Sequence, residues 1–289
     1  MKCKNLFLIL LASLYFSCEI SISHEYLQNV TVENKGLSCD GIKVINYTGQ
    51  IDRTTFHYGE KIRFLYDNLT GFSLQDNLAH PEMDIYVLNK KGDTILAKPN
   101  LFLKDTKGYT EALLNLRSEL IFAKPMLPNS EYVLMVNIRD KNSDAYYNWS
   151  KNFEIIHSPL INTKKNGLQY SIQYLFSKER AIGIVDNVIK RNEKVYLIIE
   201  DLDGFNVDEN GSANIKASIN LTAADGTLIN KNDDLFPNLV KAQDLEEQLY
   251  ASIQITSANV KNPVTCNIKL KDVENGHSLE TTFDLTVVE

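Results

Sequence analysis

The chain has 289 residues, of which 44% are hydrophobic and 23% charged. That suits two domains of roughly 150 residues each and is too apolar for wholesale disorder. Thirty Lys and Arg against 37 Asp and Glu give a net charge of -7. Without a basic excess or stripe, phosphate-backbone recognition is excluded as a main role and no nucleic-acid partner is expected.

At the N-terminus, Lys2 and Lys4 precede an almost wholly apolar run over residues 6–16 that ends in Ser17-Cys18. The run is shorter than the roughly 18–20 residues of a membrane-spanning helix, and its layout is that of a secretory signal peptide over residues 1–17. Ser17-Cys18 resembles a bacterial lipobox. The resemblance implies that Cys18 becomes the first residue of the mature chain and carries acyl chains such as palmitate. It also implies a lipid-anchored protein of the cell envelope, at the outer membrane. Each buried CH₂ of such a chain contributes roughly 0.8 kcal/mol to membrane attachment. A second cut is open after Ser23, because Ser21 and Ser23 satisfy the small-x-small rule, and it would give a plainly secreted protein. Residues 18–35 read as a polar tether.

An internal repeat follows. Glu60 recurs as Glu193 and Gly71 as Gly204, both at an offset of 133 within the similar segments 59–72 and 192–205. Thr94-Ile95 matches Thr227-Leu228, Leu101-Phe102 matches Leu235-Phe236, Arg139-Asp140 matches Lys271-Asp272, and Gly36-Leu37 matches Gly167-Leu168. An offset drifting by only one or two residues over a hundred positions marks a duplicated domain rather than a solenoid unit. The expected organisation is a first domain over 36–157, a Pro-marked linker over 158–166 and a second domain over 167–289.

Each copy reads as β. Ile62, Phe64 and Tyr66 alternate with Lys61, Arg63 and Leu65, and Tyr132, Leu134, Val136 and Ile138 follow the same rule. In the second copy, Val195, Leu197 and Ile199, then Ala217, Ile219 and Leu221, then Val264, Cys266, Ile268 and Leu270 repeat it, and Phe283, Leu285 and Val287 close the chain. Ala224-Asp225-Gly226-Thr227 is a hairpin turn signal. Residues 110–116 and 242–250 fit a short helical turn or an edge strand equally well. Period-two patterning with frequent turns predicts an all-β chain of two tandem antiparallel β-sandwiches that resemble immunoglobulin-like or fibronectin-III-like domains. The Cys…Trp…Cys core of antibody domains is missing from the sequence. With Cys3 and Cys18 assigned to the signal and the anchor, Cys39 and Cys266 remain. Cys266 reads as a free thiol on the core face of a strand, and no Cys or His spacing suggests a zinc site.

Chemistry-bearing motifs are few. There is no nucleophile elbow, phosphate loop, zincin helix or carboxylate-pair motif, the five histidines are scattered, and no cofactor is expected. Asn206, Asp208 and Asn210, followed by Gly211, have the alternating oxygens of half a calcium loop. Ala217 stands where the bidentate Glu would be, so a polar turn is the preferred reading. Tyr146, Tyr147 and Trp149, with the chain's single Trp, could offer an aromatic platform to a sugar if coplanar and exposed, or could point into the core. Six Asn-x-Ser/Thr triplets, at Asn29, Asn46, Asn68, Asn148, Asn210 and Asn220, would be glycan acceptors in a eukaryotic secretory pathway. The bacterial lipobox resemblance sets them aside.

The resulting expectation is a membrane-anchored envelope lipoprotein that acts without catalysis as a binding, adhesion or assembly module for a protein or polysaccharide partner. Two alternatives stay open: a secreted carbohydrate-binding module using Tyr146, Tyr147 and Trp149, and an envelope enzyme with its site where the domains meet.

Overall fold

The computed structural model describes residues 21–25, 30–104, 107–110, 114–236 and 238–289. The signal peptide, Cys3 and Cys18 lie outside the described residues. The first half contributes β1 (Ser21–Glu25), β2 (Val30–Lys35), β3 (Gly41–Asn46), β4 (Gly49–Gln50), β5 (Thr55–His57), β6 (Lys61–Asp67), β7 (Pro81–Asn89), β8 (Thr94–Lys98), β9 (Arg117–Ile121), β10 (Ser130–Asp140) and β11 (Tyr146–Ile156). One sheet runs β1-β2-β11-β10-β7-β8, with β5 added in parallel to β11; the other runs β4-β3-β6-β9.

The second half repeats the plan with β12 (Asn162–Asn166), β13 (Ile172–Ser177), β14 (Ile182–Gly183), β15 (Val188–Lys190), β16 (Lys194–Glu200), β17 (Ser212–Ala213), β18 (Ile215–Ala223), β19 (Leu228–Asn232), β20 (Val240–Lys241), α1 (Ala242–Glu247), β21 (Leu249–Gln254), β22 (Val264–Asp272) and β23 (Ser278–Val288). Its sheets run β12-β23-β22-β18-β19, with β15 parallel to β23, and β14-β13-β16-β21. Two tandem β-sandwiches are thus built to one strand order, down to the parallel strand at the rim.

Alternation explains the layers. Ile62, Phe64 and Tyr66 of β6 face inward, as do Val195, Leu197 and Ile199 of β16, and Cys266 lies fully buried among Val264, Ile268 and Leu270 of β22. The hairpin signal at 224–227 joins β18 to β19, with Gly226 at φ +85° and its N–H donating to Ala223 O at 2.9 Å. Of the two ambiguous stretches, 242–250 divides into α1 and the start of β21. In the other, 111–113 lie outside the described residues, and Leu114 and Leu116 are buried just before β9.

Two boundaries differ from the sequence expectation. Residues 18–35 are not all tether: β2 pairs with β11 from Val30 to Lys35, and Val30 is buried. Nor is 158–166 wholly linker, because β12 pairs with β23 from Asn162 to Asn166. Both strands are polar at most positions, β12 as a sheet edge and β2 between β1 and β11, so the hydrophobic pattern did not reveal them.

Two sets of duplicated contacts hold each copy together. Gly71 and Gly204, at φ +98° and +86°, let the loops after β6 and β16 pass against Gly36 and Gly167. A Cβ at these positions would stand 2.1 Å from Gly36 O and 2.4 Å from Gly167 O, which no side chain tolerates. The second set is carboxylate clamps. Buried Glu60 accepts from Asn46 Nδ2 at 2.8 Å, from the His57 amide at 3.1 Å and from the Arg53 guanidinium. Buried Glu193 accepts from the Lys190 amide at 2.7 Å, from Arg180 Nε at 2.6 Å and from the Ser177 hydroxyl. At the far end of each sandwich, Asp140 accepts from the Ser73 amide at 2.8 Å and Asp272 from the Asn206 amide at 2.6 Å.

Burial alone would raise the Glu193 pKa. The Lys190 amide, Ser177 and Arg180 outweigh it and leave the pKa below the ordinary glutamate value. A carboxylate with a lowered folded pKa stabilises the fold fully above its unfolded pKa, about 4.3, and loses that contribution as pH falls through the folded value. Glu193→Ala, which strands Arg180 without its partner, should cost about 3 kcal/mol at pH 7 in urea unfolding. Glu193→Gln should flatten the loss of stability below about pH 4. An unchanged acid limb in Glu193→Gln would show that the clamp does not carry this pH dependence.

Candidate functional site

The sequence candidates separate once placed. Tyr146, Tyr147 and Trp149 lie within the first four positions of β11, not at a hairpin tip. Tyr147 and Trp149 face the core, with Trp149 only 2% exposed and its ring 5.0 Å from Phe64 and 6.4 Å from Tyr66. Tyr146 points to the other face and donates to Glu33 at 2.9 Å. Alternation along a strand forbids three such side chains from sharing one exposed face, so the aromatic platform is withdrawn and the secreted sugar-binding alternative loses its site.

At the calcium-loop candidate, Asp208 Oδ1 already accepts the amides of Asn210 at 2.8 Å and Ser212 at 2.9 Å, while Gly211 N donates to Asp208 O. These bonds are those of an Asx turn. The Asn206 amide is taken by Asp272. Among the described residues, no cluster of three or more His, Cys, Asp or Glu side chains could hold a metal ion.

Cys39 and Cys266 are free thiols. Cys39 donates to the Gly41 and Asp67 carbonyls, and burial raises its pKa despite these bonds. Burial likewise pushes the Cys266 thiol far up, as expected of a thiol packed as a small hydrophobe.

What the sequence reasoning missed is the joint between the domains. The outer face of the β13–β16 pair is covered: Ile172, Ile198 and Glu200 are buried although they point away from the second core, and Ile172 joins the first core. Tyr174 packs edge-on against Tyr58 at 5.2 Å. Gly183 N donates to Gly59 O at 3.0 Å, where a Cβ on Gly183 would stand 2.4 Å from that oxygen. Tyr47 Oη donates to Asp186 at 2.6 Å and accepts from the Val185 amide at 2.8 Å, while Arg180 lies over the Tyr47 ring at 4.9 Å. Burial first, then the bond to Asp186, drives the Tyr47 pKa well above the ordinary tyrosine value, so this phenol stays a donor at every physiological pH. Lys124 bridges to Glu200 at 2.9 Å and to Asp201 at 3.0 Å.

Arg180 also holds Glu193, and Asn46, the neighbour of Tyr47, holds Glu60. The two clamps therefore sit back to back across the joint. The space where an enzyme site between the domains would lie is filled by this packing, leaving a recess of about 80 Å³ beside Asn46, Tyr47 and Ile182. Elsewhere, a groove of about 390 Å³ with mixed polar and apolar walls runs along the first sandwich past Thr54, Thr55, Lys90, Glu131, Tyr132, Val133, Asn152, Phe153 and Glu154.

No family model matches the chain, and no curated protein matches it. Among solved structures, one named pT26-6p aligns over 94% of this chain and 66% of its own, at 10% identity and a TM-score of 0.27. An ICAM-5 D1–D4 ectodomain fragment aligns over 89% and 60%, at 8% identity and 0.23. Fibronectin(III)-like modules of Clostridium thermocellum CbhA align over 84% and 93%, at 10% identity and 0.19. The chain spans less than two thirds of the first two. Such similarity carries no function across, and the assignment of tandem immunoglobulin-like β-sandwiches rests on the strand order and the two cores.

Trp149→Ala should cost the first domain about 3–5 kcal/mol, the usual loss for a buried aromatic in a packed core. Chemical unfolding followed by circular dichroism tests this. A loss under 1 kcal/mol would place the ring at the surface after all.

Proposed function

We propose that the protein is a cell-envelope lipoprotein, anchored through acyl chains on Cys18, that works without catalysis as a binding, adhesion or assembly module for a protein or polysaccharide partner. The observation that carries the non-catalytic half is how the buried carboxylates are used. Glu60, Glu193, Asp140 and Asp272 each accept backbone amides, and the two glutamates also hold an arginine. Burial is what tunes a carboxylate for acid or base catalysis, and in these four both oxygens are committed to holding a loop.

The anchoring half rests on Lys2, Lys4, the apolar run and Ser17-Cys18. The first sheet supports a cut before Cys18. β1 begins at Ser21 and pairs Ser21 with Asn34 through Glu25 with Val30, so a cut after Ser23 would remove Ser21 to Ser23 from that pairing. With β1 starting three residues beyond Cys18, the first sandwich would sit close to the lipid surface and the second would project from it. A fixed joint then presents the loops and grooves of both domains at a set distance from the membrane, as a spacer or docking arm requires. The exposed groove past Lys90 and Glu131 offers both charge signs and several hydroxyl and amide groups to a polar partner.

Cys18→Ala, expressed in a bacterium that processes lipoproteins, should abolish incorporation of labelled palmitate and move the protein from the membrane pellet to the soluble fraction. Continued co-sedimentation without label would overturn the anchor. The binding role is tested separately, by pull-down of envelope proteins and polysaccharides with Lys90→Glu as the surface variant.

A further inference from the structure

The two sandwiches share one plan but not one filling. In the second, an apolar cavity of about 200 Å³ opens between the sheets. Leu197, Ile199 and Ala217 line it from the strands, Leu235 and Phe236 close one side, and Tyr250, 62% exposed, stands at its rim. None of its lining residues carries a charge.

The strand registers show what occupies the same place in the first sandwich. Leu197 pairs with Ala251 as Phe64 pairs with Ser118, and Ala217 pairs with Leu270 as Met83 pairs with Ile138. The positions of Leu197, Ile199 and Ala217 therefore correspond to Phe64, Tyr66 and Met83. All three are buried in the first core, where Tyr66 also bonds Ser118 at 2.9 Å. Trp149 packs on Phe64 there, and the matching position, opposite Ile268 as Trp149 is opposite Val136, is Thr281. Every one of these positions is smaller in the second copy, so the same framework encloses space that the first copy fills.

We propose that this cavity is a binding site for a neutral, apolar small molecule somewhat larger than benzene. Size and lining select the class. A dry apolar cavity of about 150 Å³ already accommodates benzene, and small-molecule sites are mostly apolar with a few polar groups for orientation. Here Tyr250 and Ser252 are the only polar side chains in the lining. A charged head would find no partner within the cavity, and its desolvation would go uncompensated. The site lies in the second domain, so this inference does not depend on the lipid anchor or on the partner of the groove.

The test uses the whole mature chain with toluene as probe and octanoate as the charged comparator. Binding is followed by chemical shifts of the β16, β18 and β22 amides and by thermal unfolding. Toluene should shift those amides saturably, leave the β6, β7 and β10 amides of the first domain unshifted, and raise the unfolding temperature. Octanoate should bind at least tenfold more weakly. Ala217→Met, which imports the residue of the first copy, should weaken toluene binding at least tenfold. Leu197→Phe provides the same test should Ala217→Met fail to fold. The proposal is overturned by the absence of saturable shifts in the wild type, by equal binding in a folded filled variant, or by equal amide shifts in the two domains.

Discussion

A clamp around a buried glutamate organises each domain, Glu60 in the first and Glu193 in the second. A carboxylate removed from water costs several kcal/mol unless its oxygens are satisfied, so Glu60 and Glu193 fold their surroundings onto themselves. Each gathers a backbone amide three residues upstream, a neighbouring side chain and an arginine, and so fixes the turn that starts the central strand β6 or β16. The glutamate and its amide donor repeat at an offset of 133, yet the arginines do not. Arg53 follows β4, whereas Arg180 precedes β14. The requirement for a counter-charge has been kept while its source in the chain has changed, as expected if the physical need is to compensate the carboxylate.

The clamps also explain the joint. Arg180 reaches from Glu193 to the face of Tyr47, and Tyr47 in turn bonds the 185–186 segment of the second domain. Close approach at Gly59 and Gly183 allows a direct backbone bond between domains. Around these polar contacts, Ile172 and Tyr174 extend the first core across the boundary. The two cores remain distinct, but the second domain lends one strand face to the first, so the domains are fixed to one another more firmly than by a flexible linker.

Much of this was legible in the sequence. Alternation in Ile62, Phe64, Tyr66 and their repeats revealed β6, β10, β16, β18 and β22, because central strands of a two-layer sandwich bury every second side chain. The constant offset revealed the duplication. The strands β2 and β12 were hidden because they are polar at most positions, and the boundaries at 35 and 166 were misplaced for that reason. Trp149 was ambiguous because an aromatic near a predicted turn can face either way, and only the register of β11 shows which. The clamps were present in the repeat as Glu60 and Glu193, but their role needs partners from loops whose folding alternation does not report. The joint had no sequence signal beyond Gly183, since outer-face residues such as Ile172 and Ile198 look like ordinary strand residues.

The joint requires the two sandwiches to move as one body. Residual dipolar couplings of the mature chain in a dilute liquid-crystalline medium measure this without altering a residue. The back-to-back clamps predict that couplings from both domains fit a single alignment tensor. Two tensors of different magnitude, one per domain, would mean that the domains reorient independently and that the joint does not hold.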